Sequence, residues 1–175
     1  MRSDSPFTCP ELETLAADVA RLSRILTKER EDLPAAYLKD EGLRRAYTLY
    51  FLPSNLYKIH LPLKELSLHP KEVLSKKRLR ILDIGSGPGT AILGILDFFS
   101  RQGKRPFLEF TAADPVAENL RDAEKLFKSS MEKLSVDASI RTVRADIEKI
   151  GQLLEGPYDI ITLSNVLNEV ARTGD

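Results

Sequence analysis

The residues of this chain whose types and spacing point to chemistry are a cluster of glycines and a series of aspartates. Gly85, Gly87 and Gly89 lie in the run Asp83-Ile84-Gly85-Ser86-Gly87-Pro88-Gly89-Thr90. A short apolar stretch, Leu79, Ile81, Leu82 and Ile84, comes before them and reads as a buried strand; a helix is expected from Thr90. Glycines between a strand and a helix let the backbone turn tightly and approach a ligand without a Cβ clash. The N-terminus of the following helix offers unpaired N–H groups to a carboxylate or phosphate. The same glycines also suit a closely packed turn with no ligand. The spacing is Gly-x-Gly-x-Gly and not the Gly-x-Gly-x-x-Gly of dinucleotide folds, which argues against a nucleotide-dependent oxidoreductase.

The aspartates sharpen this. Asp83 stands two residues before the first glycine, where a carboxylate can receive a ligand's amino group directly or through water. Asp114 follows Phe110-Thr111-Ala112-Ala113, where it can accept hydrogen bonds from both hydroxyls of a ribose. Asp146 follows Val143-Arg144-Ala145, where it can accept the exocyclic N–H of an adenine. Asp114 and Asp146 both precede expected helices, so each also suits an N-cap, and the two roles are compatible. In an open α/β sheet, ligands lie across the carboxyl ends of the strands, so the three positions converge. Asn165 ends a fourth expected strand, where a carboxamide can hold an amino acceptor or cap a helix; Asn168 and Glu169 are weaker candidates after it.

The elements that must position these residues change in character along the chain. Residues 1–78 read as helices only, and residues 79–175 alternate strand and helix. Thr8-Cys9-Pro10-Glu11 fits a capping box, and Leu12, Leu15, Ala16, Val19, Leu22 and Leu26 follow helical spacing. Asp40 is expected to cap a helix from Glu41 to about Leu52, which Pro53 should stop. Ser54 or Asn55 would cap the next, with Pro62 kinking or dividing it. Beyond Arg78, strands are expected near 79–84, 107–113, 139–145 and 158–164. The expected fold class is α/β, a doubly wound parallel sheet of about four strands, preceded by an all-helical segment.

Taken together, Asp83 to Gly89, Asp114, Asp146 and the strand Tyr158-Asp159-Ile160-Ile161-Thr162-Leu163-Ser164-Asn165 resemble, in order, the motifs of the class I S-adenosylmethionine methyltransferases, over residues 79–175. The resemblance implies a Rossmann-like core and S-adenosyl-L-methionine as cofactor. Gly85, Gly87 and Gly89 would wrap its methionyl and ribose portions, Asp83 would orient its amino group, and Asp114 and Asp146 would fix its adenosine. Asn165 would stand near the methyl group as the catalytic candidate. Tyr47-Thr48-Leu49-Tyr50-Phe51-Leu52-Pro53-Ser54-Asn55-Leu56-Tyr57 and Leu163-Ser164-Asn165-Val166-Leu167-Asn168-Glu169 are similar to segments of the methyltransferase-like proteins associated with the mitochondrial small ribosomal subunit and their bacterial relatives. That implies rRNA or the assembling small ribosomal subunit as partner, and a role in ribosome biogenesis. A non-catalytic assembly factor and a small-molecule methyltransferase are the alternatives. Many members of that family carry a cysteine cluster suggesting an iron–sulfur site; Cys9 is the lone cysteine here, and no metal site is expected. The family core has seven strands against the four expected, so the chain reads as truncated after the fourth, with donor contacts present and acceptor contacts largely missing.

Composition bounds the rest. Of 175 residues, 42% are apolar and 30% charged, a globular balance. No apolar run approaches the roughly 18 residues of a membrane helix, and residues 1–6 lack the apolar core of a signal peptide. A cytoplasmic location is expected. Net charge is zero, yet residues 39–80 hold ten Lys and Arg against four Asp and Glu. Such a segment can contact phosphates or be an ordinary solvated face. Tyr47, Tyr50, Phe51 and Tyr57 can stack on RNA bases beside Arg44, Arg45 and Lys58, or pack as core at helical spacing. His60 and His69 read as surface or packing residues.

Overall fold

In the computed structural model, which describes residues 8–27, 37–102, 106–153 and 156–164, the N-terminal unit, Met1–Ser54, is built of helices. Helix α1, Cys9–Thr27, begins where the Thr8 N–H donates to Glu11 Oε2 at 2.7 Å, the backward half of a capping box. Leu22 is its most buried residue and packs with Leu43 and Ala46. Both lie on α2, Glu41–Ala46, whose N-cap is Asp40 as expected: its carboxylate accepts from the Leu43 N–H at 3.1 Å. Tyr47 and Phe51 join this core, and Tyr50, itself exposed, meets the Phe51 ring edge-on with centroids 5.1 Å apart.

The expected stop at Pro53 does not occur. The chain passes from α2 through a π-helical turn, Tyr47–Phe51, into α3, Leu52–Leu56, which contains Pro53. The Leu52 N–H bonds to the Tyr47 carbonyl, five residues back. A turn wound this way shifts the carbonyl that the proline ring would otherwise strike.

The second unit, Asn55–Asp175, holds the sheet. The change of sequence texture at 78/79 falls inside it, because a 3-10 turn, Tyr57–Ile59, and α4, His60–Ser67, belong to the same unit. Pro62 sits in the first turn of α4, where its missing N–H leaves no bond unmade. His60 is a packing residue: Nε2 lies 3.0 Å from the Gly94 carbonyl and the ring meets Phe98 edge-on.

Among the described residues four parallel strands form the sheet: β1 Arg78–Ile84, β2 Phe107–Asp114, β3 Asp137–Arg144 and β4 Ile160–Leu163, in the order β3-β2-β1-β4. They alternate with α5, Thr90–Arg101, α6, Ala117–Met131, and α7, Ile147–Leu153. On one face Leu82, Ala113 and Ala145 pack with Ile150 of α7. On the other, Phe110 lies beside Ile81 and meets Phe127 of α6 with ring centroids 6.1 Å apart. Strands covered on both faces must be apolar along their length, which is why β1 reads as a continuous run. From β1 the chain adds β2 and β3 on one side and then crosses to place β4 on the other. The topological switch point therefore lies between β1 and β4, where ligands of such sheets bind. The entry to β4 is fixed by Asp159, which accepts from the Arg80 N–H at 2.8 Å and pairs with Lys76.

Candidate functional site

The loop between β1 and α5 takes the backbone form that its glycines permit. Gly85, Gly87 and Gly89 all have positive φ, of 65°, 53° and 87°. Two of them have different surroundings. A Cβ on Gly89 would stand 3.3 Å from the Ala123 Cβ, so this glycine lets the loop close down on α6. A Cβ on Gly87 would meet nothing within 4 Å, so space is left in front of it. The loop is held by the Ser86 N–H on the Ala113 carbonyl and the Gly89 N–H on the Ser86 carbonyl, each at 2.9 Å. Gly89 is the N-cap of α5 and supplies no side-chain cap, so the first turn of this helix can serve an anion.

Asp83 lies on β1 beside the switch point and is 1% exposed. Its register partner is Thr162 of β4, whose hydroxyl lies 2.6 Å from Asp83 Oδ1. Asp83 Oδ2 is buried and has no hydrogen-bond partner. Burial is the largest influence on this carboxyl and pushes its pKa up to about 6; the Thr162 and Ser86 hydroxyls oppose the rise, and the Asp114 charge adds to it. At neutral pH it is therefore mostly ionised, with one oxygen unmatched. Ser86 Oγ, near the same carboxyl, is also buried without a hydrogen bond. Buried polar atoms in native proteins almost always have partners, so each such atom asks for one.

Asp114 closes β2 and is 5% exposed, but its carboxylate is already engaged. Oδ2 accepts from the Gly87 N–H at 2.8 Å. Oδ1 accepts from the Val116 N–H at 2.8 Å and from Asn119 Nδ2 at 3.1 Å. Burial raises its pKa, and the bonds from Val116, Gly87 and Asn119 oppose that rise. Asp114 is thus a strut that ties the glycine loop to the start of α6; the N-cap of α6 is Val116. Oδ2 accepts a single hydrogen bond and so has a second lone pair unused. Asp146, between β3 and α7, is exposed, at the same end of the sheet. Asn165, Asn168 and Glu169 lie outside the described residues. Among the described residues no cluster of His, Cys, Asp or Glu could hold a metal ion.

Sequence reasoning missed Thr162, Ser86 and Asn119. Thr162 is β-branched and reads as an ordinary strand former. Its signal was its parity: it shares the inward face of β4 with Ile160, where an apolar residue is expected.

No protein-family model and no curated protein matches the sequence. Among solved structures, the CurJ carbon methyltransferase superposes with a TM-score of 0.51 at 20% identity, covering 90% of this chain and 41% of that one. The fold is that of a class I methyltransferase core. The plantazolicin methyltransferase BpumL, in complex with a monoazolic desmethylPZN analog and SAH, aligns at 20% identity over 87% of this chain and 48% of that one, with a TM-score of 0.32. The chain spans less than half the length of either protein. In this fold, Asp83, Gly87, Ser86 and the start of α5 gather at the carboxyl end of β1, and Asp114 braces them from β2.

Proposed function

We propose that this chain is the donor-binding part of an S-adenosylmethionine-dependent methyltransferase, with the donor lying across the carboxyl ends of β1 and β4. The observation that carries the reading is the unpartnered, buried Asp83 Oδ2 at the switch point, behind a glycine loop with open space at Gly87. The donor has an ammonium, a carboxylate, a ribose and an adenine. Asp83 supplies an anionic acceptor for the ammonium, and the uncapped first turn of α5 supplies N–H groups for the carboxylate. Asp114, with a second lone pair on Oδ2, would accept from a ribose hydroxyl, and exposed Asp146 would accept from the adenine amine.

The donor's sulfonium makes its methyl group an electrophile and provides the leaving group. What remains for the protein is orientation, which converts an encounter into an in-line displacement. Asp83 and the glycine loop fix the amino-acid end of the donor, and Asp114 and Asp146 fix the nucleoside end. The acceptor we assign is rRNA of the small ribosomal subunit. Support comes from the similarity of residues 47–57 and 163–169 to the ribosome-associated family, and from the exposed Tyr57 among the lysines of a basic segment. Asn165 is the candidate for holding the acceptor.

Calorimetric titration of the full chain with S-adenosylmethionine and with NAD tests the first half. Saturable binding of the methyl donor, tighter than that of NAD, is expected; the reverse order overturns the reading. Transfer of tritiated methyl groups to small-subunit rRNA, set beside transfer to a metabolite extract, tests the acceptor. Label in the metabolites alone would reassign the protein as a small-molecule methyltransferase. Subunit binding that survives Asp83→Ala without methyl transfer would make it an assembly factor.

A further inference from the structure

We propose that Thr162 is a positioning residue for Asp83: its hydroxyl holds Oδ1, so that Oδ2 stays free to receive the primary ammonium group of a ligand lying between β1 and β4. The proposal rests on the donor-binding reading above and adds to it a residue on the far side of the switch point.

β4 presents Ile160 and Thr162 inward while Ile161 and Leu163 are exposed. A hydroxyl on the inward face must find a partner or leave a buried polar group unmatched. Thr162, 7% exposed, finds one in Asp83 directly across the register, at 2.6 Å. It also lies 3.3 Å from the Leu82 carbonyl. A hydroxyl carries one proton, so the two contacts serve two states. When Asp83 is ionised, Thr162 donates to Oδ1. When Asp83 is protonated, its carboxyl can donate to Thr162, whose own proton turns to the Leu82 carbonyl. In the ionised state, the form that attracts an ammonium, Oδ2 is left unpartnered. The pairing therefore keeps one oxygen occupied and the other available, and it favours the charge that the ligand needs.

Other groups near Asp83 do not replace this. Asp114, the titratable neighbour acting on it, has the same charge and holds the proton on. The Ser86 hydroxyl opposes the rise less than Thr162 does and has no hydrogen-bond partner of its own, and Asn119 of α6 is uncharged and bonded to Asp114. Without the Thr162 hydroxyl, a fully buried carboxyl would remain protonated to higher pH.

The test uses the full chain as wild type, Thr162→Val and Thr162→Ser. The carbon-13 shift of the Asp83 carboxyl is followed across roughly pH 4–8, and S-adenosylhomocysteine, which keeps the ammonium but cannot react, is titrated calorimetrically over the same range. Thr162→Val is expected to raise the Asp83 midpoint by about one pH unit and to weaken binding by about tenfold at the acid end, with the deficit shrinking above the new midpoint. Thr162→Ser should restore both. A merely structural role would weaken binding equally at every pH, and that result overturns the proposal. So does an unmoved Asp83 midpoint in Thr162→Val. If wild type binds while Thr162→Val binds equally well, the proposal fails and the donor reading stands. If wild type does not bind at all, both fail.

Discussion

The carboxyl ends of β1 and β2 each carry a buried aspartate, yet the two have different surroundings. At the end of β2, Asp114 is matched by two backbone N–H groups and the Asn119 amide, and braces the glycine loop. At the end of β1, Asp83 has one oxygen on Thr162 and the other on nothing. A carboxylate with its donors supplied by the protein is part of the frame. A buried carboxylate left half-matched destabilises the fold, and such sites persist where a ligand completes them. The sequence marked both aspartates as ligand contacts; the structure shows one fully braced by protein donors and the other half-matched.

The largest effect that tests this difference is on stability. Asp114→Ala leaves the N–H groups of Gly87 and Val116 and the Asn119 amide without their acceptor. It should lower the unfolding free energy by about 3 kcal/mol, measured by urea denaturation. Equal stability in that variant would remove the strut.

Asp83 should behave in the opposite sense. Its folded pKa of about 6 lies above its ordinary value of 3.8. Between these values the folded state holds a proton that the unfolded chain has released. Stability therefore falls as pH rises through this window and is level above it, a loss of up to about 3 kcal/mol. Asp83→Asn should make the profile shallower between about pH 4 and pH 6 and leave the protein no less stable at neutral pH. Asp114, also raised, contributes the same sign, so Asp83→Asn removes only part of the slope.

The two loop glycines repeat the comparison on a smaller scale. Gly89→Ala combines a φ of 87° with the contact to Ala123 and should cost about 2 kcal/mol. Gly87→Ala has a φ of 53° and open space, and should cost about 1 kcal/mol. For ligand binding the order should invert, because the methyl group of Gly87→Ala enters the space left in front of the loop. Denaturation and calorimetry on the same two variants check both halves.

Much of this was legible in the sequence, for definite reasons. The glycine run, the strand before it and the alternation after Arg78 are local signals, and they placed the sheet and the loop. Pro53 was misread because a local rule was applied without the wider turn at Tyr47–Phe51 that accommodates it. Thr162 was invisible because its significance is a register: Asp83 and Thr162 are 79 residues apart and become neighbours when β4 crosses to the far side of β1. The division between Asp83 and Asp114 was invisible too, since which carboxylate oxygens meet N–H groups depends on how the loop folds back.

The central claim is that Asp83 receives the donor's ammonium. Its most direct test is calorimetric titration of wild type and Asp83→Asn with S-adenosylhomocysteine at neutral pH, alongside their unfolding curves. The account predicts that Asp83→Asn binds at least about tenfold more weakly while unfolding no more easily than wild type. Unchanged affinity in Asp83→Asn would contradict it.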